Sequence, residues 1–140
     1  MIVLDTSGLL AALDPDQRHH ERASRVLRAD PGPFLLSPFI LAELDYLLLT
    51  RVGARAERAL LEEVAGGAYD LVPFDAGHVA EAVAVIGRYE ALEVGLADAS
   101  VAVVAAMART TRLLTLDERH FRAMHPLWGE AFHLLPADER

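Results

Sequence analysis

The chain has no cysteine and no lysine, and each absence removes a class of chemistry. Without cysteine there is no disulfide framework, no thiolate metal site and no thiol nucleophile. All 13 basic residues are arginine. That excludes the Walker A loop, the phosphoaspartate receivers and the haloacid dehalogenase type of phosphatase, each of which relies on a lysine. Positive charge is scarce altogether, since 21 acidic residues leave a net charge of −8. A protein that grips nucleic acid with a broad basic surface is therefore excluded. Long apolar runs are missing too, because the uncharged stretch 31–42 is too short and too broken to cross a bilayer. The N-terminus opens with a strand pattern, not a secretory signal. The expectation is a soluble, cytoplasmic protein with no membrane segment. Its 53% hydrophobic content leaves some apolar surface for a partner.

What is present is alternation. The 140 residues suit one domain, 1–140, long enough to support a real core. "IVLD" (2–5), "FLLS" (34–37), "YDLVPF" (69–74) and "RLLTL" (112–116) read as short buried strands, with "AFHLL" (131–135) a candidate fifth. Between them the spacing predicts helices over 7–13, 15–30, 38–51, 54–67, 75–92 and 96–111, the last nearly free of charge and so buried. This pattern implies an α/β fold whose mostly parallel sheet of four or five strands is covered on both faces.

Ligands of such sheets collect beyond the carboxyl ends of the strands. Asp5 closes the first strand and Asp117 the fourth, each with an ordinary alternative as a helix cap. Glu43 shares a helical face with Phe39, Ile40, Tyr46 and Leu47, so a half-buried carboxylate is expected there. Asp45 lies about 200° round the same helix and cannot face the same site. Asp98 stands at the mouth of the uncharged helix, where it or Ser100 is a candidate cap. Two unit charges at 4 Å repel by about 4 kcal/mol at an effective dielectric near 20. If Asp5, Glu43, Asp98 and Asp117 converge, either some protonate or a cation resides among them. Hard carboxylate oxygens suit Mg²⁺ or Mn²⁺, and such ions promote phosphodiester hydrolysis.

"IVLDTSGLLAALD", "SPFILAELDYLL", "GLADASVAVVAAMA" and "LLTLDERHF", in this order along the chain, resemble the PIN-domain ribonucleases, and most nearly the small VapC-type toxins of toxin–antitoxin pairs. The resemblance implies a three-layer α/β/α sandwich, one or two Mg²⁺ or Mn²⁺ ions in an acidic pocket, and endoribonuclease activity that leaves a 5′-phosphate and a 3′-hydroxyl. Asp5, Glu43, Asp98 and Asp117 fit the family's four acids. Asp5 and Asp98 are then the expected metal ligands, with Glu43 and Asp117 completing or orienting the shell. Thr6 and Thr115 look like supporting or substrate-orienting hydroxyls. RNA, a small antitoxin protein and a second copy of the chain are the implied partners. A metal-dependent phosphatase and an inactive PIN module that only binds RNA or protein are the competing readings. The six histidines are expected to be surface or structural, with His120 nearest to the acids. Phe121 and Trp128 are expected to pack, base stacking being the alternative. Arg109, Arg112, Arg119 and Arg122 are candidate phosphate contacts or a solvated helix face.

Overall fold

Short strands joined by helices pair in parallel, because each helix returns the chain to the edge where the strand began. The computed structural model, which describes residues 1–139, follows that rule throughout. Its strands are β1 (Ile2–Leu4), β2 (Phe34–Leu36), β3 (Asp70–Leu71), β4 (Arg112–Leu114) and β5 (His133–Leu135), in the spatial order β3-β2-β1-β4-β5, and every pairing is parallel. The helices are α1 (Thr6–Leu13), α2 (His20–Ala29), α3 (Pro38–Arg51), α4 (Ala54–Ala65), α5 (Ala76–Arg88), α6 (Leu96–Ala108) and α7 (Glu118–Ala123), with a 3₁₀ turn at Glu90–Leu92. The chain steps from β1 to β2 to β3 in one direction and later from β4 to β5 in the other. Right-handed crossovers of opposite direction place helices on opposite faces of the sheet, which makes three layers. No helix among the described residues is long and apolar enough to cross a membrane.

The central strand is wholly enclosed, with Ile2, Val3 and Leu4 at 0% exposure. Its neighbours in register, Leu35, Leu113 and Leu114, are also buried, and the small side chains of α6 from Ala99 to Ala105 let that helix sit inside the molecule. Helix α3 begins where expected: Ser37 caps it by accepting the Phe39 amide and Pro38 occupies the first turn. The Ser37 and Ser100 hydroxyls lie 2.7 Å apart in the core, and Ser100 donates to the Ala97 carbonyl. This pair pins the start of α3 to the start of α6.

Several boundaries differ from the sequence expectation for local reasons. Residues 15–19 are a turn, because the Asp14 carboxylate accepts from the Asp16 amide and the Gln17 side chain before α2 can start. Strand β3 shrinks to two residues at the sheet edge, where Pro73 has no amide to donate. Helix α5 stops at Arg88, and α6 stops at Ala108 because Arg109 turns left-handed (φ 54°). Strand β4 ends at Leu114: Thr115 N–H still reaches the Leu135 carbonyl, but the next two amides bond side chains, Leu116 N–H donating to Ser7 Oγ and Asp117 N–H to Thr115 Oγ1. Helix α7 has no counterpart in the sequence reading.

Glycine is required at position 8 of α1. A Cβ there would run into the Leu114 carbonyl and sit 2.8 Å from the Thr115 amide nitrogen, so α1 rests directly on the end of β4. Gly8→Ala therefore forces helix and strand apart and is expected to cost about 2–3 kcal/mol, as overpacked cores do. Chemical denaturation reads the loss; an unchanged midpoint would show that this contact relaxes freely.

Candidate active site

The strand order reverses at β1, so the crevice for a ligand should open beyond the carboxyl ends of β1 and β4. Asp5 and Thr115 stand there as register neighbours, each one residue past the paired Leu4 and Leu114. Asp5 is 3% exposed and occupies the position before α1, yet its side chain does not cap that helix. Instead Asp5 Oδ2 accepts from Thr115 Oγ1 at 2.7 Å and from Ser7 Oγ at 3.0 Å. Burial pushes its pKa up; the bonds from Thr115, Ser7 and the Thr6 amide pull it back, and the charge of Asp117 raises it again.

Asp98 reaches the crevice from the first turn of α6, where Gly95, not Asp98 or Ser100, is the residue before the helix. Its pKa is raised to about 6, first by burial, then by the charges of Asp5 and Asp117; His120 lowers it and Glu43 adds to the rise. Asp117 does cap a helix, accepting the His120 amide at 3.0 Å on Oδ1. Its other oxygen, Oδ2, lies 2.7 Å from His120 Nδ1. His120 Nδ1 is also 3.1 Å from Asp98 Oδ2, while Nε2 lies 2.9 Å from the Leu92 carbonyl. Burial works against protonating this imidazole, but the hydrogen bond and charge of Asp117, the Leu92 carbonyl and the charge of Asp98 prevail and raise its pKa.

Asp5, Glu43, Asp98 and Asp117 thus line one cleft of about 330 Å³, together with Arg51 and Gln17. Glu43 departs from expectation in being exposed, because the buried stripe of α3 is Ile40, Leu44 and Leu48, and Glu43 lies at its margin. Asp45 turns away toward Glu57 of α4, and the nearby carboxylate raises the Glu57 pKa. Of the two threonines, Thr115 bonds Asp5, whereas the Thr6 hydroxyl is buried with no partner. The hydroxyl that bonds Asp5 from α1 belongs to Ser7, a residue the sequence reading passed over. Adjacent residues at a helix start diverge by about 100°, so only one of the pair can turn toward β4.

His120 touches the acidic cluster through Asp98 and Asp117. His78 and His20 are structural, the first in the capping box of α5 and the second bonding the Ala11 carbonyl. Phe121 is buried against Phe132, whereas Trp128 is 45% exposed. Arg112 pairs with Asp30 and Arg122 with Glu118 and Asp138, while Arg109 ends α6 at the opposite end from Asp98. The arginine that lines the cleft is Arg51, four and eight residues beyond Leu47 and Glu43 on one face of α3. That spacing was visible in the sequence.

The donor set suits a hard divalent cation: carboxylates from four elements line the cleft, one of them deeply buried, Asp98 and Asp117 lie with His120 within 4.8 Å of one another while Asp5 and Glu43 stand outside that group, and a threonine hydroxyl at the cleft lacks a partner. Such convergence at the switch point of a parallel sheet defines a class. The chain belongs to the PIN domain family, whose pattern matches residues 2–125. It is 40% identical over 135 residues to Ribonuclease VapC26 of Mycobacterium tuberculosis (strain ATCC 25618 / H37Rv), covering 96% of this chain and 100% of that protein. Among solved structures it resembles VapC20 of Mycobacterium tuberculosis, a sarcin–ricin loop cleaving toxin, with a TM-score of 0.79 at 23% identity over 85% of this chain and 92% of that one. A toxin–antitoxin complex from Klebsiella pneumoniae gives a TM-score of 0.68 at 18% identity, covering 89% and 92%. The two structural likenesses concern the fold.

Proposed function

We propose that this chain is a single-domain, Mg²⁺- or Mn²⁺-dependent endoribonuclease acting in the cytoplasm as the toxin of a toxin–antitoxin pair. The observation that carries this reading is the convergence of Asp5, Glu43, Asp98 and Asp117 on one cleft at the end of β1 and β4. Asp5 and Asp98 would hold the ion, with Glu43 and Asp117 completing or orienting its shell. A bound divalent ion supplies positive charge against the developing negative charge on phosphate and acidifies the attacking water. The chain's own groups do the rest. Ser7 and Thr115 hold Asp5 in one orientation, and the apolar side chains of Leu10 and Leu47 flank the acids. Arg51 is placed to meet a phosphate of the substrate.

The net charge of −8 implies that RNA affinity is local and that the partner is basic. An antitoxin tail carrying arginine would complement the acidic cleft. Exposed Tyr46, Leu49 and Val52, spaced three apart along α3 and just past its end, offer apolar surface to such a partner or to a second copy of the chain.

Purified protein is expected to cut structured RNA in Mn²⁺ or Mg²⁺ and to stop when EDTA is added. Turnover of phosphomonoesters without RNA cleavage would favour a phosphatase, and RNA binding without cleavage would favour an inactive module. Arg51→Ala is expected to weaken RNA binding about three- to tenfold with little change in kcat. It should also reduce the slope of log affinity against log salt by about 0.7–0.9, the signature of one lost phosphate contact. An unaltered salt slope would remove Arg51 from the substrate path.

A further inference from the structure

His120 holds a more specific place than its neighbours. A carbonyl can only accept, so the bond to Leu92 keeps a proton on Nε2 and turns Nδ1 toward Asp98 and Asp117. That is how ligating histidines are held, with the outer nitrogen donating to a carbonyl and the inner one facing the site; here the inner Nδ1 carries a proton toward the carboxylates, and its lone pair is available once that proton is displaced. The spacing also fits. Nδ1 lies 2.7 Å from Asp117 Oδ2 and 3.1 Å from Asp98 Oδ2, and the three groups offer donor atoms all within 4.8 Å of one another. Neighbouring donors around an octahedral ion with bonds of about 2.1 Å are separated by about 3 Å.

We infer that His120 Nδ1 is a metal ligand, forming with Asp98 and Asp117 a nitrogen-containing position that favours Mn²⁺ over Mg²⁺. The inference rests on the metal-dependent reading of the cleft and adds a ligand that four carboxylates alone do not supply. An imidazole nitrogen is a better donor to a transition ion than to Mg²⁺, which prefers oxygen and keeps its waters. When the ion binds, the proton shared between Nδ1 and the carboxylates leaves to solvent. Leu92 belongs to the 3₁₀ turn before α6, so that turn sets the imidazole's orientation.

Pulsed electron paramagnetic resonance of Mn²⁺ bound to the intact protein tests this without reference to activity. The expected result is ¹⁴N modulation from a directly bound imidazole, replaced by the ¹⁵N pattern when the protein is grown with ¹⁵N-histidine. In His120→Gln the modulation disappears while Mn²⁺ still binds, about tenfold or more weaker by calorimetry, and Mg²⁺ affinity changes less. Bound Mn²⁺ without nitrogen modulation overturns the inference and leaves the carboxylate site standing. So does a His120→Gln protein that keeps its modulation or its preference for Mn²⁺. No Mn²⁺ binding by the unaltered protein overturns both the inference and the metal-dependent reading. Because the labelled wild-type spectrum needs no substitution, a variant that failed to fold would not shelter the idea.

Discussion

Asp5→Asn is expected to abolish RNA cleavage, by about a thousandfold or more, while leaving the protein folded and no less stable. The two effects separate because Asp5 plays two physical roles. As a carboxylate at 3% exposure it is a buried charge, raised in pKa chiefly by desolvation, and in the ion-free protein that charge is a liability. As an acceptor it receives the Thr115 and Ser7 hydroxyls on one oxygen, and the amide oxygen of asparagine can receive the same two bonds. Asparagine therefore keeps the packing and removes the charge that a divalent ion and a phosphoryl transition state depend on, a loss of the order of 10³-fold or more. RNA cleavage assays beside thermal melting read both effects. Cleavage within about tenfold of the unaltered protein would remove Asp5 from the site, and a large fall in melting temperature would mean that the charge is structural.

The ion-free protein is expected to lose stability as the pH rises from about 4 past the native pKa of His120, and divalent ions are expected to restore it. Asp98, with its pKa at about 6 against 3.8 in an unperturbed chain, holds a proton in the native state that the unfolded chain has already lost. Stability contributed in this way falls as pH rises between those two values. His120, raised above 6.5, continues the trend: its protonated form stabilises fully below 6.5, and that contribution is lost as the pH passes its native pKa. Asp138 works in the opposite sense. Its pKa is lowered to about 2, mainly by the Arg122 hydrogen bonds and then by the Leu134 amide, so its contribution is complete above about pH 4 and is lost as the pH falls toward 2. The melting temperature in EDTA should therefore peak near pH 4 and decline toward neutral pH, a change on the order of 2–3 kcal/mol. Mn²⁺ or Mg²⁺ should raise it by several degrees at pH 8 and by much less at pH 5, where protons compete for the same oxygens. A flat profile, or an ion effect independent of pH, would mean that the carboxylates do not interact as the geometry requires.

The acids were legible in the sequence because each stood against an apolar background. Asp5 after "IVL", Asp117 after "RLLTL" and Asp98 inside an otherwise uncharged helix are conspicuous where water is excluded. For Glu43 the helical face is legible and the depth is not, since periodicity gives an angle about the axis and not the depth at which that side meets its neighbours. Ser7 and Arg51 stand out less in the sequence, for different reasons. Thr6 and Ser7 are chemically alike, and only the crossing of α1 over β4, as close as Gly8 permits, decides which hydroxyl faces Asp5. Arg51 was one arginine among 13, although its spacing from Glu43 would have singled it out.

The alternation of strands and helices, hence the parallel sheet, and the four carboxylates can be read from the residues alone, because hydrophobic periodicity and isolated charge are local properties of a chain. The contact of His120 with Asp98 and Asp117 arises when the helices pack over the sheet. The imidazole is oriented by the Leu92 carbonyl, 28 residues earlier in the chain. A hydrogen bond between elements so far apart depends on how helices pack over a sheet, and no local pattern encodes it.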